Sequence, residues 1–160
     1  MSNAATITFT MKPGKWQSLL SSGRFMTTGV NNADNFTVTA AVASGTTTVA
    51  VSADQTTITV NGPLDTLTIA VVSGDPTPTI APVSVIFKRQ DSGVDFWGNT
   101  EFGGNRTAKK LGSSRIPVIV LQDSSPASGS TTFEFYILVQ KMDTKTPDYG
   151  LIDPKIVSTN

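Results

Sequence analysis

Apolar and polar residues alternate along most of this chain with a period of two, the repeat of an extended strand whose successive side chains face opposite sides. Phe36 to Ala43 alternates, and Val49 and Val51 share one face of the run Thr46 to Ser52. Ser44-Gly45 between them reads as a two-residue turn, so these runs predict a hairpin. Ile58 and Val60 end another strand before Asn61-Gly62-Pro63. Leu67, Ile69 and Val71 then alternate with Thr66, Thr68 and Ala70, up to a break at Gly74-Asp75-Pro76-Thr77-Pro78. Val83, Val85 and Phe87 share a face of the next strand, and regularity returns at Ile116 to Leu121. The clearest strand is Thr132 to Gln140, with Phe133, Phe135, Ile137 and Val139 on one face and Tyr136 and Leu138 on the other. A strand apolar on both faces is central in its sheet or covered on its second side.

Two segments depart from this rhythm. In residues 1–35 a short β-like run, Thr6 to Thr10, precedes Trp16, Leu19 and Leu20 at helical spacing, then Gly23, Gly29 and the polar stretch Asn31 to Asn35. This segment reads as an N-terminal arm or added edge element, with its Trp and Leu residues seeking a surface to bury against. Residues 90–114 carry Gly93, Gly98, Gly103, Gly104 and Gly112 among aromatic and charged residues, and read as a long loop or a loosely paired excursion.

Composition agrees with the pattern. Charged residues are 15% of the 160, replaced by Thr, Ser, Gly and Val, the residues of strands and tight turns. The expectation is therefore all-β: a single-domain β-sandwich of seven to nine mostly antiparallel strands over 36–160, with the arm 1–35 appended. Lys+Arg and Asp+Glu are 12 each, a balance that argues against nucleic-acid and membrane partners. There is no Cys and no His, which removes thiolate and imidazole metal sites and the common Ser-His and Cys-His nucleophile systems. No cofactor and no metal are expected. The opening residues Met1 to Ala5 lack the basic and apolar regions of a signal peptide, so a cytoplasmic or virion location is expected.

The chain ends on a distinctive pattern. The Phe-rich strand Ser130 to Gln140 is followed by a polar loop and then by Gly150-Leu151-Ile152-Asp153-Pro154-Lys155-Ile156-Val157. This resembles the ending of the small bacterial DP-EP family, in which a phenylalanine-rich strand precedes Asp-Pro-x-Ile near the C-terminus. Ile58-Thr59-Val60, Leu67-Thr68-Ile69 and Ile119-Val120-Leu121-Gln122-Asp123 are compatible with it. The resemblance spans 36–160 and implies a compact β-sandwich; the N-terminal arm and the Gly-rich segment depart from it. It also implies that Asp153-Pro154 is a scissile bond, because self-cleavage at Asp-Pro has been proposed for that family. The ending is similar, too, to the C-terminus of bacterial inclusion-body proteins of the PixA type, so the motif reads equally as a fold closure.

Three constellations carry candidate chemistry. The carboxyl of Asp153 can reach its own peptide carbonyl, and a tertiary amide to Pro154 is easier to twist than an ordinary one. Cleavage there needs strain and a nearby acid, for which Asp148 is a candidate. The structural alternative is that Pro154 merely opens a terminal edge strand, as Asp75-Pro76 sits in a turn. Phe96, Trp97, Asn99, Phe102, Asn105 and Arg106 suggest an aromatic and amide surface for sugars or proteins, or else aromatics that anchor a loop. Asp91, Asp95 and Glu101 match no calcium-loop spacing and read as a solvated acidic loop. Trp16, Leu19 and Leu20 would be the contact residues of an assembly arm.

These features favour a non-enzymatic structural or interaction module, a homo-oligomer or one part of a larger surface assembly such as a phage virion decoration. Its partners would then be other copies or neighbouring proteins. Self-cleavage at Asp153-Pro154 and carbohydrate binding are the alternatives.

Overall fold

A computed structural model describes residues 2–16, 18, 32–76, 79–87, 102–109, 117–124, 128–142 and 144–160. The described residues form β1 (Ala4–Met11), a 3-10 turn (Asn32–Asp34), β2 (Phe36–Ser44), β3 (Thr48–Val51), β4 (Thr57–Asn61), β5 (Leu64–Ser73), β6 (Ile80–Phe87), β7 (Phe102–Lys109), β8 (Val118–Asp123), β9 (Ser130–Lys141), β10 (Asp148–Ile152) and β11 (Lys155–Thr159). The all-β class holds. The described strands number eleven rather than seven to nine, and they join in one sheet of order β2-β1-β5-β8-β7-β6-β9-β11-β4-β3, with β10 beside β9.

The order divides into two halves with the same pairing pattern. In one, β1 lies antiparallel to β2 and parallel to β5, followed by antiparallel β8 and β7. In the other, β4 lies antiparallel to β3 and parallel to β11, followed by antiparallel β9 and β6. The halves are stitched by the single β6–β7 pair Ser84↔Thr107. The far ends of the order, β2 and β3, are consecutive in the chain and separated only by Gly45 to Thr47. The sheet thus curls toward closure like a barrel, which hides edges that two separate sheets would leave open.

One core fills the interior. Ile7, Phe9 and Met11 of β1, Leu67, Ile69 and Val71 of β5, Phe135, Ile137 and Val139 of β9, and Ile156 of β11 are all buried in it. Phe9 and Phe36 meet edge to face at 6.4 Å. On β9 the predicted alternation is realised, with Phe135, Ile137 and Val139 fully buried and Tyr136 and Leu138 half-buried. That strand is central, flanked by β6 on one side and by β10 and β11 on the other.

Three expectations change. Residues 4–11, assigned to an appended arm, are an interior strand paired along its length with β2 and β5. The alternating Ala5, Ile7, Phe9 and Met11 supply a core face that must be buried, so this stretch belongs inside the sheet. The expected hairpin across Ser44-Gly45 does not form, because β2 pairs with β1 and β3 with β4. Gly45, at φ 96, instead turns the chain from one half to the other over Asn3, whose Oδ1 accepts the Thr46 N–H at 3.0 Å. The Gly-rich segment contains β7, which Gly103 and Gly104 conceal because glycine carries no side chain to show alternation.

Candidate functional site

β10 and β11 run antiparallel to β9 in one continuous register, Asp148↔Lys141 through Ile152↔Ile137 and Lys155↔Glu134 through Thr159↔Ser130. Asp153-Pro154 lies between them, where the ladder is interrupted. Proline has no N–H for a ladder bond, so the interruption follows from the residue type. Pro154 is buried, and its carbonyl accepts the Phe135 N–H at 3.3 Å. Beyond it Ile156 enters the core between Phe133 and Ile58 of the adjoining strands. In this setting Asp-x-x-Ile steers the chain into the slot between β9 and β4, and closes that half of the sheet.

The acid required for cleavage is not brought to this bond by Asp148. Five residues of extended strand separate the two, roughly 17 Å. Asp148 is engaged elsewhere: its Oδ2 accepts the indole N–H of Trp16 at 2.8 Å, and its Oδ1 is buried without a hydrogen-bond partner among the described residues. Asp153 is half-buried and is not among the positive-φ positions; among the described residues Gln55, at φ 62, is the non-glycine residue that is. Asp75, in the other Asp-Pro, accepts the Gly14 N–H through Oδ2 at 2.9 Å and so ties two turns together.

Trp16, assigned by its spacing to an assembly arm, packs against its own core and bonds its own β10. Leu19 and Leu20 lie outside the described residues, as do Phe96, Trp97, Asn99, Asp91, Asp95 and Glu101. Phe102, Asn105 and Arg106 fall on β7, with Phe102 in register opposite Asp123.

A polar pair that the sequence reading overlooked crosses the interior. Asp123 ends β8 at 1% exposure, and its Oδ1 accepts the hydroxyl of Ser158 on β11 at 3.1 Å; Ser158 is fully buried. The bond joins one half of the sheet to the other. Its signal was present, since Asp123 continues the buried phase of Ile119 and Leu121, and Ser158 that of Ile156. A polar residue in phase with core positions points inward.

The outer edge of β2 approaches β3 and the turn after it, where the two ends of the sheet come together. Lys12 N–H bonds the Asn35 carbonyl at 2.8 Å, so the odd-numbered backbone groups of β2 face β1 and the even-numbered ones face away. Val38 N–H, facing away, is met by Oε1 of Gln55, reaching across from the β3–β4 turn. Past that plug, Ala41 to Ser44 are exposed, Val42 at 43%. A shallow cleft of about 230 Å³ also opens along the β6–β7 seam, lined by Ala81, Pro82, Val83, Ala108, Pro117 and Met142 among others. Among the described residues its lining carries no acid, base or strong nucleophile.

No protein-family model matches the chain, and no curated protein matches it. Among solved structures it is similar to an inclusion body protein, PixA, from Burkholderia cenocepacia, with a TM-score of 0.57 and 8% identity over 100% of this chain and 97% of that one. At that identity the likeness speaks for the fold.

Proposed function

We propose that this chain is a non-enzymatic structural protein that assembles with copies of itself. The observation that carries the reading is the end-to-end fold likeness to a protein described as an inclusion body protein. The chain's own chemistry agrees with it. Its charge balances to zero and its charged fraction is low, so copies approach without long-range repulsion. The Asp153-Pro154 motif is explained by strand closure, and the Asp123–Ser158 pair by support between the two halves of the sheet.

Sedimentation velocity over a wide concentration range tests the reading. Species larger than the 16.8 kDa chain should grow with concentration. A single monomer at every concentration, in low and in physiological salt, rejects it.

A further inference from the structure

We propose that Asn61-Gly62, at the end of β4, is a site of spontaneous covalent modification that strand β11 keeps closed. The inference goes beyond the assembly reading and does not depend on it. Asn61-Gly62 is the only Asn-Gly in the chain. In such a pair the backbone nitrogen of the glycine can attack the asparagine side chain, because no Cβ on the glycine crowds the approach. The Gly62 nitrogen bonds to Asn61 Cγ, the Cγ–Nδ2 bond breaks, and ammonia leaves with the proton that the Gly62 nitrogen gives up. Water then opens the resulting succinimide at either carbonyl, giving aspartate or isoaspartate. Each asparagine consumes one water and releases one ammonia, with no oxidant or other reagent.

In the folded chain both reacting groups are held. Asn61 shares one row with Thr48 of β3 and Thr159 of β11, its register partners on either side. Its Nδ2 donates to Thr48 Oγ1 at 3.0 Å, and its Oδ1 accepts the Thr159 hydroxyl, which also lies 3.3 Å from the Val60 carbonyl. The attacking nitrogen is engaged as well, since Gly62 N–H donates to the Thr159 carbonyl at 2.9 Å. Attack therefore requires the side-chain amide to swing off both threonines and the Gly62 N–H to leave its acceptor. Two of these three bonds end on Thr159, and Thr159↔Asn61 is the end rung of the β4–β11 ladder. End rungs open at lower free energy than the core of a sheet. Asn61 is exposed, so water reaches the succinimide once it forms. Isoaspartate adds a carbon to the backbone within the strand, so the rung cannot re-form in register. The pair thus turns each departure of β11 into a lasting chemical mark.

Peptide mapping by mass spectrometry of the full chain, incubated in mildly alkaline buffer, reads the conversion at Asn61. The wild type should convert many times more slowly in native buffer than in unfolding urea, where β11 is unseated. Thr159→Val keeps the β-branched shape and removes the hydroxyl. It should raise the native rate about fivefold, the factor that one net hydrogen bond supplies, and leave the rate in urea unchanged. Ile7→Val is the control: it trims a fully buried side chain on β1, in the other half of the sheet, and should leave the native rate near wild type. Circular dichroism checks that each variant is folded. Equal wild-type rates in native buffer and in urea overturn the proposal, and that comparison decides it even if Thr159→Val does not fold. A folded Thr159→Val that converts at the wild-type rate overturns it too. If Ile7→Val accelerates conversion as much as Thr159→Val, global unfolding governs the reaction and the assignment to β11 falls.

Discussion

Replacing Ser158 by alanine isolates the buried bond between the two halves of the sheet. The serine is fully buried and donates to Asp123 Oδ1 at 3.1 Å, while Asp123 is itself 1% exposed. Alanine fits the space, so the substitution removes a donor with little loss of packing. A side-chain hydrogen bond contributes about 0.5–1.5 kcal/mol net, and a buried acceptor atom that loses its donor costs about 1–3 kcal/mol. We therefore expect a destabilisation of about 2 kcal/mol, measured by urea unfolding with the slope unchanged. In a chain of this size that corresponds to a fall in Tm of roughly 4–8 °C. The partner substitution, Asp123→Ala, should cost more alone than it does in the Ser158→Ala background, and the difference is the coupling between the two. A Ser158→Ala variant as stable as wild type, within about 0.5 kcal/mol, would refute the claim that this bond supports the fold.

Three further outcomes follow from particular contacts. Gly45→Ala should destabilise by about 1–3 kcal/mol, because a Cβ there lies 1.9 Å from Asn3 Oδ1 and 2.8 Å from its Cα at a φ of +96°; equal urea midpoints would contradict this. Asp54 is held down to about 2 from an ordinary 3.8, first by the Ser52 hydroxyl and then by Thr56. Its folded value lies below its unfolded one, so the stabilisation it provides is complete above about pH 4 and is lost as pH falls toward 2. A carboxyl NMR titration should give that low midpoint, and Ser52→Ala should raise it. Intact-mass measurement at mildly acidic pH should show the folded chain whole, because Pro154 is buried and its carbonyl is bound to Phe135 N–H; cleavage that Asp153→Asn abolishes would refute this.

The alternation of apolar residues was enough to establish the all-β class, most of the strands, and the inward face of β9, because side-chain direction in a strand is a local property of the backbone. Phase alone would also have revealed Asp123 and Ser158. Which strand lies beside which was another matter. Ladder bonds join backbone groups that every residue shares, so pairing partners leave little trace in local sequence. Only the assembled sheet put β1 between β2 and β5, and β11 between β9 and β4, so that both terminal strands became interior ones. Only there did Ser44-Gly45 become a crossing rather than a hairpin, and Trp16 find Asp148 across most of the chain.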